Sequence, residues 1–348
     1  MKKFLISLCS IILLTAANKN CDDIECHKNN IEEYKKELNK SFQELVKGEE
    51  MTTVLVMMST YNGEKFLQEQ VDSILNQENC EVRLLIRDDG SKDRTIKILE
   101  DYSNKDSRVS WYTGVNLRSA KSFMHLLIHC EKFYDYYAFA DQDDVWDVDK
   151  LSVAIESLEQ QGGPAIYCSN SMLVDEELKG DGEYLYKHVP KFTLSRVLIA
   201  GQIQGATMVL NRAFANYFEH KEIPNYIPMH DYYVSAVCLA VGGKIFYDSD
   251  SHMKYRQHGN NVFGIDTSFL GKVKRNLNTV FQTNDFFDLQ RFSQELINLN
   301  QASLDDDSKI LLNLAKDYKK SFTNRLKLAF YKGLSFGRLN QAISFRLA

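Results

Sequence analysis

From residue 51 onward the chain alternates short apolar runs with amphipathic stretches. Val54 to Met58 is an unbroken apolar run closed by Ser59-Thr60-Tyr61-Asn62-Gly63, which predicts a buried strand running into a loop. Leu67, Val71, Ile74 and Leu75 then recur at helical spacing. Val82 to Ile86 predicts a second buried strand, ended by Asp88-Asp89-Gly90-Ser91, and Ile96, Leu99 and Tyr102 mark the next helix. The pair repeats in Val109 to Tyr112 followed by Phe123, Leu126, Leu127 and Cys130. Tyr136 to Ala140 is a further strand, and Asp141-Gln142-Asp143-Asp144 follows it directly. Repeated β-α units predict an α/β fold: a mostly parallel, Rossmann-like sheet flanked by helices. Ligands on such sheets sit at the carboxyl ends of the strands, which is where all of these polar clusters fall.

The pattern changes on either side of that block. Met1-Lys2-Lys3, an apolar run from Phe4 to Leu14, and Thr15-Ala16-Ala17 resemble a secretory signal peptide, too short to span a bilayer. Residues 21–50 carry nine acidic and five basic side chains and read as a polar helix or tether. Cys21, Cys26 and His27 lack a second ligand pair and carry no metal assignment. Leu270 to Leu347 is helical in pattern, and residues 316–348 hold eight basic side chains against one acid. Phe322, Leu326, Phe330 and Leu334 recur one turn apart among Arg325, Lys327 and Lys332. That predicts a basic amphipathic helix resting on an anionic membrane surface, the alternative being a helical cap with a solvated basic face. The expected organisation is therefore an N-terminal extension over 1–50, an α/β domain over 51–265 and a helical C-terminal region over 266–348.

Composition narrows the classes. A chain of 348 residues at 44% apolar and 26% charged is neither disordered, collagenous nor a coiled coil. A net charge of −5 argues against nucleic acid as a partner. Seven scattered cysteines, an odd number, read as reduced thiols rather than a disulfide framework.

The candidate chemistry lies in the acids. Asp141, Asp143 and Asp144 repel one another unless a cation or hydrogen bonds offset them, and hard oxygens of this kind suit Mg²⁺ or Mn²⁺ bridging to substrate phosphates. A helix N-cap before Val145-Trp146 is the plainer alternative. Asp88 and Asp89, turned by Gly90-Ser91, are placed to accept hydrogen bonds from a nucleobase or ribose, or serve only the turn. No G-x-G-x-x-G follows the first strand and no G-x-x-x-x-G-K-[ST] occurs, which weighs against dinucleotide oxidoreductases and P-loop phosphotransferases.

Val54-Leu55-Val56-Met57-Met58-Ser59-Thr60-Tyr61-Asn62-Gly63, Arg87-Asp88-Asp89-Gly90-Ser91-Lys92-Asp93 and Asp141-Gln142-Asp143-Asp144-Val145-Trp146 resemble, in order, the signature loops of inverting family-2 glycosyltransferases. His230-Asp231 and Tyr255-Arg256-Gln257-His258-Gly259-Asn260-Asn261 are similar to rhamnosyltransferase-like members that build bacterial surface polysaccharides. The resemblance implies a GT-A fold, a dTDP- or UDP-linked sugar donor and a divalent metal. It implies that Ser59, Thr60 and Tyr61 line the nucleobase pocket, that Asp89 bonds the base, and that Asp88 supports the loop or the ribose. Asp141 and Asp143 match the D-x-D acids, Asp143 being the direct metal ligand. Arg256 and His258 would contact the diphosphate or metal, and Gly205 would allow close approach of the donor sugar. Asp231 falls where such enzymes place the catalytic base, with an N-cap of the run Tyr232 to Val241 as the alternative.

The implied reaction is one inverting displacement onto a saccharide or polyprenyl-linked saccharide acceptor. Nucleotide sugars are cytosolic, so the expected location is the inner face of the plasma membrane, in conflict with the signal-like segment. Competing readings are a nucleotidyltransferase, which lacks its Gly-rich basic loop here, and an inactive nucleotide-sugar-binding protein.

Overall fold

The computed structural model describes residues 51–200, 203–259 and 288–331. The signal-like run, Cys21, Cys26, His27, Asn260, Asn261, Lys332 and Leu334 lie outside the described residues. The apolar runs become strands: β1 (Thr53–Thr60), β2 (Glu81–Asp88), β3 (Val109–Thr113) and β4 (Tyr136–Ala140), all parallel, in the order β3-β2-β1-β4. Between them run α1 (Leu67–Leu75), α2 (Thr95–Lys105) and α3 (Arg118–His129). Successive residues of a strand point to opposite faces, and both faces of β1 and β4 are dry. In β1, Leu55 and Met57 enter one core, while Val54, Val56 and Met58 enter the other. In β4, Tyr137 and Phe139 face the first core and Tyr136, Ala138 and Ala140 the second. Strands that must be apolar on both faces read as unbroken runs, which is why these were recognisable.

Beyond β4 the sheet becomes mixed. The elements are β5 (Val145–Trp146), α4 (Lys150–Leu158), β6 (Ala165–Val174), α5 (Leu194–Ala200), a 3-10 turn (Gly205–Thr207), β7 (Val209–Asn211), α6 (Arg212–Asn216), α7 (His230–Ala240) and β8 (Lys244–Arg256). β7 pairs antiparallel with both β4 and β6, β5 antiparallel with β8, and β6 parallel with β8. The described strands complete an eight-stranded sheet in the order β3-β2-β1-β4-β7-β6-β8-β5. Four of the seven pairings among the described strands are parallel, so the mostly parallel expectation holds, and the antiparallel pairings are those made by β5 and β7.

Gly205–Thr207 is wound into the 3-10 turn, so β7 starts only at Val209. Two local alternatives fall. Val145-Trp146 pairs with β8 as a strand, so the acids before it do not cap a helix. Helix α7 begins at His230 after an extended Met229, so Asp231 lies inside the first turn and is not its N-cap.

At the C-terminal end, α8 (Leu289–Asn300), α9 (Asp306–Asp317), a 3-10 turn (Tyr318–Lys320) and α10 (Phe322–Ala329) follow. Asp288, Asp305 and Ser321 cap α8, α9 and α10, each side chain accepting from backbone N–H groups of the first turn. Phe292, Leu296, Leu312 and Leu328 enter the core that also holds Phe123 of α3 and Val234 of α7. Cys80, Cys130, Cys168 and Cys238 are free and buried.

Candidate active site

Each loop that leaves a strand at the carboxyl edge of the sheet is fixed by its own polar residues. Asp88, fully buried, accepts from the N–H groups of Gly90 and Ser91, both at 2.9 Å, and from the hydroxyls of Ser91 and Thr113. Its oxygens are spent on the turn. Asp89 accepts from the Leu117 N–H at 3.1 Å and the Ser122 hydroxyl at 2.9 Å, and it pairs with the Arg87 guanidinium. A carboxylate offers about four acceptor positions, so one remains for a ligand.

Gln142 joins the first loop to the acidic one. Its Oε1 accepts from the Thr60 hydroxyl at 2.6 Å and the Tyr61 N–H at 3.0 Å, and its Nε2 donates to the Tyr61 carbonyl at 3.3 Å. A Cβ on Gly63 would stand 2.3 Å from that same Oε1, so a larger residue there would displace the Gln142 amide.

The acidic loop is clamped from below. Arg256 is 1% exposed and its Nε donates to the Asp143 carbonyl at 2.8 Å. The rest of its guanidinium bonds the Glu176 carbonyl and Glu69, and its own N–H meets Asp144 at 3.2 Å. Burial and the neighbouring Asp143 and Asp141 push the Asp144 carboxyl well above the carboxylate range. Lys150, fully buried, has Nζ 3.7 Å from the Trp146 ring centroid, and burial lowers its pKa to about 7. His258 Nε2 lies 2.8 Å from Asp143 Oδ2.

Among the described residues no three His, Cys, Asp or Glu side chains converge on a preformed metal cage. The donor set nevertheless fits a divalent cation of the kind that keeps most of its ligands outside the protein. Burial, then Asp143 and Asp231, raise the Asp141 carboxyl to about 7, so its charged form is disfavoured there unless a cation offsets it. Mg²⁺ commonly takes one or two carboxylates and completes its shell with water and substrate phosphates.

Asp231 stands across the same cavity of about 580 Å³. Its carboxylate accepts from the Tyr232 N–H at 2.7 Å and from the Gly205 N–H, and among the described residues no cation pairs with it. Burial outweighs these hydrogen bonds and raises its pKa to about 7. The preceding His230 stacks on Phe123 at 4.1 Å between centroids, and burial lowers its pKa to about 3.

The structure brings Ser59, Tyr61, Asp89, Asp141, Asp143, Gly205 and Asp231 to this cavity. Thr60, Asp88, Arg256 and His258 are not among its lining residues: Thr60 holds Gln142, Asp88 holds its turn, and Arg256 braces the acidic loop. Gly205 does permit a close approach, though of the His230 ring, to which a Cβ would come within 2.2 Å. Arg118, Tyr186 and Gln204 also line the cavity and carried no motif. One signal was local: Arg118 opens α3 in a left-handed conformation, φ 63°, unusual for a side chain of its size.

The site is thus a cavity at the carboxyl edge of an α/β sheet, with an acidic loop on one side and a buried carboxylate opposite. Residues 55–218 match the family model described as Glycosyl transferase family 2, and this part of the chain is a glycosyltransferase family 2 domain. It is 29% identical over 227 residues to the dTDP-rhamnosyl transferase RfbG of Shigella flexneri, covering 63% of this chain and 77% of that protein. It is 24% identical over 239 residues to the UDP-Glc:alpha-D-GlcNAc-diphosphoundecaprenol beta-1,3-glucosyltransferase WfgD of Escherichia coli, covering 68% and 83%. The crystal structure of S. aureus TarS 1–349 in complex with UDP-GlcNAc superposes with a TM-score of 0.52 at 16% identity, covering 84% of this chain and 78% of that one. The shared fold is the GT-A fold the sequence predicted. The nucleotidyltransferase alternative falls with the family match.

Proposed function

We propose that this glycosyltransferase moves a sugar, with rhamnose the leading candidate, from a dTDP- or UDP-linked donor to a hydroxyl of a saccharide or polyprenyl-linked saccharide acceptor, inverting the anomeric centre. The activities of the Shigella and Escherichia relatives support that substrate class and a role in cell-surface polysaccharide synthesis. The observation that carries the mechanism is Asp231: a buried carboxylate without a cationic partner among the described residues, in one cavity with Asp141 and Asp143.

Asp231 accepts the proton of the acceptor hydroxyl. The freed oxygen bonds to the anomeric carbon from the face opposite the diphosphate as the bond between that carbon and the phosphate oxygen breaks. A pKa near the working pH suits a general base. Asp89 accepts from the nucleobase, with Ser59 and Tyr61 beside it. Asp143, with Asp141 and His258 alongside, would hold a divalent cation, Mg²⁺ or Mn²⁺, which would supply charge compensation for the departing diphosphate. Donors of this class are made in the cytosol, which places the enzyme on the inner face of the plasma membrane; no described helix is long and apolar enough to cross it.

The test is a panel of dTDP-, UDP- and GDP-sugars, with and without Mn²⁺, read by thermal stabilisation and slow donor hydrolysis. One donor at a hundredfold excess over its Kd stabilises the fold by about 2.7 kcal/mol, and Asp143→Ala removes the metal-dependent part. A folded protein that answers to no donor contradicts the proposal.

A further inference from the structure

The middle of β6 is polar and dry, and what it holds lies away from the acidic loop. Asn170 is 4% exposed and Ser171 is fully buried. The Asn170 side chain holds the backbone of Tyr186 twice: its Oδ1 accepts from the Tyr186 N–H at 3.0 Å and its Nδ2 donates to the Tyr186 carbonyl at 2.9 Å. The Ser171 carbonyl accepts from the Leu185 N–H at 2.9 Å, and an antiparallel bridge joins Met172 to Tyr184, so residues 184–186 run alongside β6. The Ser171 hydroxyl donates to Gln204 Oε1 at 2.6 Å. Two neighbouring polar residues of one strand thus fix two side chains that line the cavity, Tyr186 and Gln204.

Each of these two presents a donor with nothing to bond. Gln204 Nε2 is buried and has no hydrogen-bond partner among the described residues, while its Oε1 is taken by Ser171. The Tyr186 ring stands edge-on to Tyr247, and among the described residues its bonds are the two backbone contacts to Asn170, which leave the hydroxyl unbonded. Burial, and after it the Asp231 carboxylate, push the Tyr186 pKa up, so the hydroxyl keeps its proton and stands in the field of Asp231. Gln204 adjoins Gly205, whose N–H bonds that same carboxylate. Native structures keep few buried donors without partners, because each is costly unless a function employs it.

Two donors on one cavity, beside a carboxylate, have their complement in the hydroxyl oxygens of a sugar ring. We propose that Tyr186 and Gln204 are specificity-determining residues that donate hydrogen bonds to hydroxyls of the transferred sugar, with Asn170 and Ser171 as the positioning residues that hold them there. This rests on the glycosyltransferase reading above. An inverting displacement puts the anomeric carbon between the departing diphosphate and the base, so the transferred ring occupies the space between Asp141 and Asp143 on one side and Asp231 on the other. Gln204 Nε2 is sunk in the wall of that space, and the ring brought against it is the one tethered through its diphosphate, the acceptor being added over it from solvent. A site built on such donors rejects a ring that lacks the matching hydroxyl far more strongly than an apolar wall can.

The test compares Kd for a bare nucleotide with Kd for its sugar form, dTDP against dTDP-rhamnose and UDP against UDP-glucose, with Mn²⁺ and the full chain. Tyr186→Phe and Gln204→Met keep the packing and each remove one donor. Each should weaken the bound sugar form about tenfold, the value of one hydrogen bond whose partner is left unpaired, and keep the bare nucleotide within a factor of about two. Ser171→Ala releases the Gln204 amide and should weaken the sugar form about threefold, again without moving the bare nucleotide. The unchanged nucleotide Kd shows that the variants are folded. A loss shared equally by nucleotide and sugar form marks a merely structural role and overturns the proposal. Unchanged affinity for the sugar form in both variants overturns it too, and a fall in transfer at the same time would assign the two donors to the acceptor. Those results leave the transferase reading standing, whereas a natural sequence that binds none of the four ligands overturns that reading and this inference with it.

Discussion

A Cβ on Gly205 would stand 2.2 Å from Nε2 of His230, and the Gly205 N–H bonds the carboxylate of Asp231 next to it. The 3-10 turn and the first turn of α7 are therefore locked face to face, with His230 wedged between Gly205 and the ring of Phe123. The position of the proposed base is set by the absence of a side chain on a neighbouring element. Gly205→Ala should push His230 aside and carry Asp231 with it. A displacement of that order costs about 100-fold in turnover. The check is kcat beside the far-ultraviolet spectrum, which should stay native.

The pH profile follows from Asp231. Its pKa, raised by burial to about 7, makes it proton-loaded and inactive in acid. Turnover should climb about tenfold per pH unit below that value and level off above it. Stability runs the other way. A carboxyl whose folded pKa is raised contributes stability that is full below the ordinary carboxylate range and is lost as pH rises through about 7. Asp231→Asn should therefore raise the melting temperature at pH 8 and leave it nearly unchanged at pH 4, by differential scanning calorimetry.

Thr60 tests the join between the first loop and the acidic one. Thr60→Val keeps the shape of the side chain and removes the donor to Gln142 Oε1, costing about 1 kcal/mol. Because Gln142 also holds the backbone of Tyr61, donor KM should rise more than kcat falls. An unchanged KM would detach this contact from the donor pocket.

Arg256 separates bracing from direct contact. A lysine cannot reproduce the planar fork that meets the Asp143 and Glu176 carbonyls together. Arg256→Lys should lower stability by about 2 kcal/mol and weaken the metal dependence of donor binding. If Arg256 instead touched the diphosphate, donor affinity would fall while the melting temperature held.

The sequence made β1 and β4 legible because both faces of those strands are dry, so apolarity alone marks them. β6 was not: its middle is Cys168-Ser169-Asn170-Ser171, polar yet buried, and held by contacts to distant segments such as Asn170 Nδ2 to the Tyr186 carbonyl at 2.9 Å. No local pattern reveals a strand whose polar groups are satisfied from far along the chain. β5 is two residues long and exists through its pairing with β8. At the site, the acids were visible as clusters at strand ends. The division of labour among them was not, because Asp88 and Asp89 differ only in what lies behind them: a tight turn for one, Arg87 and Ser122 for the other. Tyr186 and Arg118 reach the cavity from segments without any motif.

The central claim is that Asp231 removes the acceptor proton. The most direct measurement sets Asp231→Asn beside the natural sequence with the same donor, measuring kcat for transfer and Kd for the donor in the presence of metal. The account predicts a loss of at least about 1,000-fold in kcat, with donor Kd within a factor of about three, since the amide keeps the Tyr232 contact and cannot take a proton. Near-natural turnover in that variant, at full donor occupancy, would contradict it.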